Sequence, residues 1–318
     1  MPEQSQLTIR HLLSIEDLQR AQIESLLQRA ERFEELAQRP VKKVPALRGK
    51  TMLNLFFEPS TRTRASFELA AKRLSADVIN FAAAGSSLEK GESLKDTILT
   101  LNAQQPDVIV VRSPHVGAAE LVRSWTGAAV INAGDGTHEH PTQALLDMYT
   151  LKRCFGHVEG LSVWIVGDVA HSRVARSDII ALKKLGAHVT LCGPPTLIPA
   201  GIEQLGCAVR YSLDDLHQAD VIYALRLQRE RIDQLPLPSL REYAACYQID
   251  ERRLGSRQIV LHAGPVNRGV ELSSAVIDSP QSRIGAQVQA GILVRMAVLY
   301  ELLAPAPATA GATVREIA

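Results

Sequence analysis

The sequence predicts an α/β protein: two doubly wound parallel-sheet domains with an interdomain cleft, and a C-terminal helix packing back on the first domain. Three observations predict it. Short apolar runs alternate with segments of helical spacing, which is the signature of parallel strands covered by helices on both faces. The alternation stops at Phe155-Gly156-His157-Val158-Glu159-Gly160 and then starts again. A last amphipathic segment, 282–303, has no strand after it and is left to pack on what precedes it. The expected division is a first domain over 1–153 joined by that helix, a second over 154–281, and a disordered Ala/Pro/Thr-rich tail over 304–318.

The elements follow in order. Ile15 to Leu36 carries apolar residues at Ile23, Leu26, Leu27, Ala30, Phe33 and Leu36, a one-sided helix, with Ser14 and Asp17 as its capping box. Strands are expected at 51–57, 77–81, 107–111 and 128–132, with helices after Ser60 and at 93–101, 118–125 and 141–153. Ser93 with Asp96 reads as a helix cap. In the second half, strands are expected at 162–166, 188–192, 208–211, 220–224 and 258–262.

Bulk properties exclude several function classes. The 318 residues carry 35 basic and 34 acidic side chains, a net charge of +1, so no broad field draws nucleic acid or a membrane surface. Cys154, Cys192, Cys207 and Cys246 lie far apart without metal-ligand spacing, which fits reduced thiols and a cytoplasmic setting. No signal-peptide core and no uncharged bilayer-length run is read, and neither metal nor cofactor is expected: no phosphate-binding Gly-x-x-x-x-Gly-Lys loop, dinucleotide turn or nucleophile elbow occurs.

Local polar clusters carry the functional signal. Ligands of open α/β sheets bind beyond the carboxyl ends of the strands, and here the strand ends are rich in arginine. The first strand leads into Glu58-Pro59-Ser60-Thr61-Arg62-Thr63-Arg64, which opens a helix. A helix N-terminus repels cations, so two arginines there, beside hydroxyls and unpaired N–H groups, point to a bound phosphate or carboxylate. Solvated arginines beside an ordinary cap are the plainer alternative. Later strands are followed by Arg112, by His140-Pro141-Thr142-Gln143, by Gly167-Asp168 with Arg173, by Arg226, Gln228, Arg229 and Arg231, and by His262-Ala263-Gly264-Pro265. His140 before a helix reads as a neutral hydrogen-bond donor to a carbonyl oxygen, or else as a capping or core histidine. Gln143 lies on the same face and can accept from an –NH2 group. Lys90 tips a small-residue loop that can reach an anion or stay solvated. Arginines, a neutral imidazole and a glutamine without a nucleophile suit direct group transfer by positioning and oxyanion stabilisation.

Phe57 to Arg64 together with His140-Pro141-Thr142-Gln143 resembles the carbamoyltransferases, over a span from about Arg10 to Leu303. Lys90-Gly91-Glu92, Gly167-Asp168 with Arg173, and Arg226 to Arg231 are similar to the aspartate-using members. Where ornithine-using members carry His-Cys-Leu-Pro, this chain has His262-Ala263-Gly264-Pro265. The resemblance implies that Ser60, Thr61, Arg62, Thr63 and Arg64 hold the phosphate of carbamoyl phosphate. Thr63, Arg112 and His140 would polarise its carbonyl, while Gln143 and the carbonyls near Gly264-Pro265, across a cis peptide bond, would take its –NH2. Arg62, Thr63, Arg112 and His140 would form the catalytic set. Lys90, Arg173, Arg226 and Gln228 would grip the two carboxylates of L-aspartate, and Glu58 would pair with Arg173 or Arg231 across the cleft. The resemblance further implies a homotrimer with shared active sites, a neighbouring subunit supplying Ser86 or Ser87 with Lys90, and larger assemblies with regulatory or dihydroorotase chains. A carbamoyltransferase for ornithine or another amine, and a non-catalytic anion-binding protein, are the alternatives.

Overall fold

The computed structural model describes residues 9–82, 91–228 and 239–304. Helix α1 (Arg20–Gln38) comes first and buries Ile23, Leu26, Leu27, Ala30 and Leu36 on one face. It starts later than its apolar spacing predicts, and Ser14 with Asp17 is not its capping box. Gln19 caps it instead, in a reciprocal pairing with Gln22. Ser14 is diverted because its hydroxyl donates to Glu139, whose other carboxylate oxygen accepts from the Ile15 N–H at 2.9 Å.

The chain then alternates. β1 (Thr51–Phe56), α2 (Thr61–Arg73), β2 (Asp77–Ala82), α3 (Leu94–Asn102), β3 (Val108–Ser113), α4 (Ala118–Trp125), β4 (Ala129–Asp135) and α5 (Pro141–Phe155) form the first lobe. Its strands lie in the order β2-β1-β3-β4, all parallel. The described strands of the second lobe run in the same sense. β5 (Ser162–Val166), α6 (Arg173–Lys184), β6 (His188–Cys192), β7 (Ala208–Arg210), β8 (Val221–Ala224), α7 (Leu240–Tyr247), β9 (Ile259–Leu261) and α8 (Ser274–Ile277) give the order β7-β6-β5-β8-β9. The strand interiors are mostly apolar because helices cover both faces; Val108, Ile109 and Val110 are all fully buried. β4 runs three residues beyond its expected end, so Gly134 and Asp135 belong to the strand and not to the loop after it.

Helix α9 (Ile284–Leu303) packs against α1, α2 and α5 of the first lobe. Its 20 residues have a mean hydropathy of 1.3, long and apolar enough to cross a membrane by those measures alone. It also carries Arg295 and Glu301, and buries Leu293, Val294, Met296, Ala297, Val298 and Leu299 against its neighbours, as the core helix of a folded domain does.

In each lobe the strand order reverses once. In the first it turns between β1 and β3, which pair with Phe56 opposite Arg112. In the second it turns between β5 and β8, with Val166 opposite Ala224. Such switch points open a crevice beyond the strand ends. Side chains that follow both pairs of strands line one cavity of about 1290 Å³ between the lobes.

Candidate active site

The cavity is built from the ends of these strands. β1 stops at Phe56, and α2 begins at Thr61 with Ser60 as its N-cap. The Ser60 side chain makes no capping bond, so the cap position presents its hydroxyl beside the first N–H groups of the helix. Glu58, Ser60, Thr61, Arg62 and Thr63 all line the cavity. The Arg62 guanidinium reaches across it and donates to the backbone carbonyl of Ala263, after β9. Arg64 is placed differently from Arg62. It is exposed and does not line the cavity, because residues two apart on a helix point about 200° apart; it lies instead near Glu68, one turn on.

Arg112, at the end of β3, donates to the Ala133 carbonyl at 3.0 Å and pairs with Glu58 at 2.8 Å. Glu58 also accepts from Arg173, the first residue of α6 in the second lobe. One carboxylate therefore ties guanidiniums from both lobes. The backbone makes room for them at Gly134, whose φ of +118° disfavours a side chain. A Cβ there would lie 3.0 Å from Arg173 and 3.2 Å from Arg112.

His140 caps α5, with Pro141 at the first helical position. It is 4% exposed, and its Nδ1 has no hydrogen-bond partner among the described residues. Burial, followed by the fields of Arg112, Arg295 and Arg173, lowers its pKa well below 6.5, so the imidazole is neutral. A relay fixes its backbone: the His140 N–H donates to Ser177 Oγ at 2.8 Å, and Ser177 donates to Glu139 at 2.9 Å. Gln143 lines the cavity while its Nε2 donates to both oxygens of Asp147, at 3.2 and 3.1 Å. Asp147 is an acceptor here, so the Gln143 carbonyl oxygen is the end left for a ligand.

On the second lobe, Asp168 after β5 accepts from the Gln228 N–H at 3.0 Å and from His171 Nδ1 at 2.8 Å. Arg226 donates to Gln228 Oε1 at 3.2 Å, and both line the cavity. The Gly264-Pro265 peptide is cis, and both residues line the cavity. His262 Nδ1 accepts from the Gly264 N–H at 2.7 Å, which leaves Nε2 to meet Glu271 at 3.2 Å. Lys90, Ser86, Ser87, Arg229 and Arg231 lie outside the described residues, as does the tail from 305.

Sequence reasoning missed Arg295. It is 3% exposed in apolar α9, lines the cavity, donates to Ser66 at 2.9 Å and lies over the Phe67 ring, 5.0 Å from its centroid. A lone arginine in a helix reads as a solvated charge, and only tertiary packing shows otherwise. Glu139 and Ser177 were missed for a similar reason, since their partners are distant in sequence. Among the described residues no cluster of His, Cys, Asp and Glu gathers with metal-binding geometry.

Fold and site together define a two-lobed parallel α/β protein whose facing sheet ends converge cationic and neutral polar groups on one cavity. Residues 10–153 match the aspartate/ornithine carbamoyltransferase carbamoyl-P binding domain, and residues 159–302 match the Asp/Orn binding domain of the same family. The chain belongs to the aspartate/ornithine carbamoyltransferase family. It is 56% identical over 308 residues to the aspartate carbamoyltransferase catalytic subunit of Acidothermus cellulolyticus, covering 95% of each chain. It is 57% identical over 302 residues to that of Salinispora arenicola, covering 93% of this chain and 98% of the relative. Among solved structures, it is similar to the aspartate transcarbamoylase of Trypanosoma cruzi in complex with N-(phosphonacetyl)-L-aspartic acid. There the TM-score is 0.86 at 34% identity, over 94% of this chain and 97% of that one.

Proposed function

We propose that the cleft transfers the carbamoyl group of carbamoyl phosphate to the α-amine of L-aspartate, giving N-carbamoyl-L-aspartate and phosphate, a step of pyrimidine biosynthesis. The observation that carries this reading is the convergence of Arg62 and Arg112 from the first lobe with Arg173 and Arg226 from the second on one cavity that also holds neutral His140. Ser60, Thr61, Arg62 and Thr63 hold the phosphate at the start of α2. Thr63, Arg112 and His140 donate to the carbamoyl oxygen, and Gln143 with the carbonyls near Gly264-Pro265 accepts from its –NH2. Arg173, Arg226 and Gln228, with Lys90, take the aspartate carboxylates.

The uncharged amine attacks the carbamoyl carbon, forming the C–N bond and placing negative charge on the oxygen. That oxyanion lies where three donors are fixed in advance. The carbon–phosphate oxygen bond then breaks, and the departing phosphate carries off the amine proton. Residues 1–153 with the last helix serve carbamoyl phosphate, and residues 154–281 serve aspartate. The active unit is a homotrimer in the cytoplasm, with Ser86 or Ser87 and Lys90 supplied by a neighbouring subunit, and open to regulatory or dihydroorotase chains. An ornithine site needs an acidic partner for the side-chain ammonium, whereas the second lobe presents Arg226 and Gln228. Phosphate release with carbamoyl phosphate and either L-aspartate or L-ornithine tests the reading. Release with aspartate alone is expected; release with ornithine alone, or with neither, would refute it.

A further inference from the structure

Behind Gln143 lies a pair of carboxyl groups for which the transfer reaction has no direct use. Asp147 in α5 and Asp178 in α6 are both 0% exposed. Asp147 is richly supplied with donors. Besides Gln143, it accepts from Tyr223 of β8 at 2.9 Å and from Gln287 of α9 at 2.7 Å. Asp178 differs: neither of its buried oxygens receives an N–H or O–H donor from the described residues. The polar group it meets is the Asp147 carboxyl, within hydrogen-bond reach.

Two ionised carboxylates cannot share such a site, and a buried carboxylate without donors is costly on its own. A proton on Asp178 resolves both problems at once, because its O–H then becomes a further donor to Asp147. The surroundings fix which partner holds the proton. Gln143, Tyr223 and Gln287 all donate to Asp147, and Arg295 of α9 lies close enough for the two charges to interact. The anion therefore belongs on Asp147 and the proton on Asp178.

We infer that Asp178 is a neutral carboxylic acid donating to Asp147 where α5 of the first lobe meets α6 of the second, and that this acid–carboxylate pair is the positioning device that holds the Gln143 carbonyl oxygen toward the carbamoyl –NH2. The positioning role rests on the assignment of Gln143 made above. The pair itself does not. Loss of the proton sets two negative charges in contact at the junction of the lobes and releases the orientation of Gln143. Burial, followed by the Asp147 charge, raises the Asp178 pKa well above the usual carboxylate value. The folded chain thus keeps a proton that the unfolded chain gives up, and the stability this confers falls as pH rises through the raised pKa.

The test uses the full chain and the variants Asp178→Asn, which keeps a donor but cannot titrate, and Asp178→Leu, which has none. Infrared difference spectra of wild type minus Asp178→Asn, recorded without substrate at neutral pH, should show a protonated carboxylic-acid C=O stretch. In kinetics, kcat/KM for carbamoyl phosphate should fall at alkaline pH in wild type and lose that limb in Asp178→Asn. Asp178→Leu should raise the KM for carbamoyl phosphate at least tenfold at every pH. Absence of the carboxylic-acid band overturns the pair. A band present alongside identical pH profiles in wild type and Asp178→Asn overturns the positioning role. Neither result depends on which amine is the acceptor, so failure here is distinguishable from failure of the proposed function.

Discussion

In the proposed reaction, His140 concentrates the chemistry in one side chain. It is buried beneath three arginines and therefore neutral, a donor of one hydrogen bond rather than a cation. Removing an oxyanion donor of this kind costs about a hundred- to a thousandfold in turnover, so His140→Ala should lower kcat on that scale in the phosphate-release assay. Arg62→Ala should lose more, since Arg62 also spans the cleft to Ala263. The same imidazole makes stability pH-dependent with a definite sign. The unfolded chain protonates this histidine below about pH 6.5 and the folded chain does not, so acidification favours unfolding, by up to about 1.4 kcal/mol per pH unit. Urea midpoints taken between pH 7.5 and 5.5 should fall more steeply for wild type than for His140→Asn. Glu58 is the counterpart on the acidic side, bridging Arg112 and Arg173. Losing a hydrogen bond to a charged group costs about 1.5–3 kcal/mol, so Glu58→Gln should change turnover or aspartate KM by about ten- to a hundredfold. Unchanged kinetics would remove its role in linking the lobes.

Elements differ in how far their own sequence determines them. The buried strands are legible because a parallel sheet covered on both faces needs near-continuous apolar runs, which β3, β5 and β8 have and β1 has but for Asn54. Helix starts are less so. Ser14 has the spacing of a capping box, but a carboxylate 125 residues away captures its hydroxyl, and nothing within the first helix reveals this. Arg62 and Arg64 look equivalent in the sequence, and only the helical turn between them sends one into the cleft and the other to solvent. Helix α9 is the element through which the last residues support the site, since it places Arg295 in the cavity while packing on α1, α2 and α5. Leu299, fully buried on it, should cost about 2–5 kcal/mol when cut to alanine, read as a shift in the denaturant midpoint. At the end of β4, Gly134→Ala should displace both the Arg112 and Arg173 guanidiniums and lower activity while leaving the far-ultraviolet circular dichroism unchanged.

At the scale of the molecule, two sheets turn their switch points toward each other. Each alone would hold a small anion loosely; on the proposed function, the two together would enclose a carbamoyl donor and its acceptor and hold the reacting atoms in attack geometry. This arrangement was readable in the recurrence of arginine after strands in both halves of a nearly neutral chain. The buried supports beneath it were not, because Glu139, Ser177, Asp178 and Arg295 owe their roles to distant neighbours. In the proposed function, one ligand engages both lobes simultaneously. Calorimetric titration of a bisubstrate ligand that joins a phosphonate to aspartate, into wild type, Arg62→Ala and Arg226→Ala, tests it directly. Both variants should bind at least a hundredfold more weakly than wild type, each through the loss of a different lobe; an Arg226→Ala variant that bound as tightly as wild type would contradict the account.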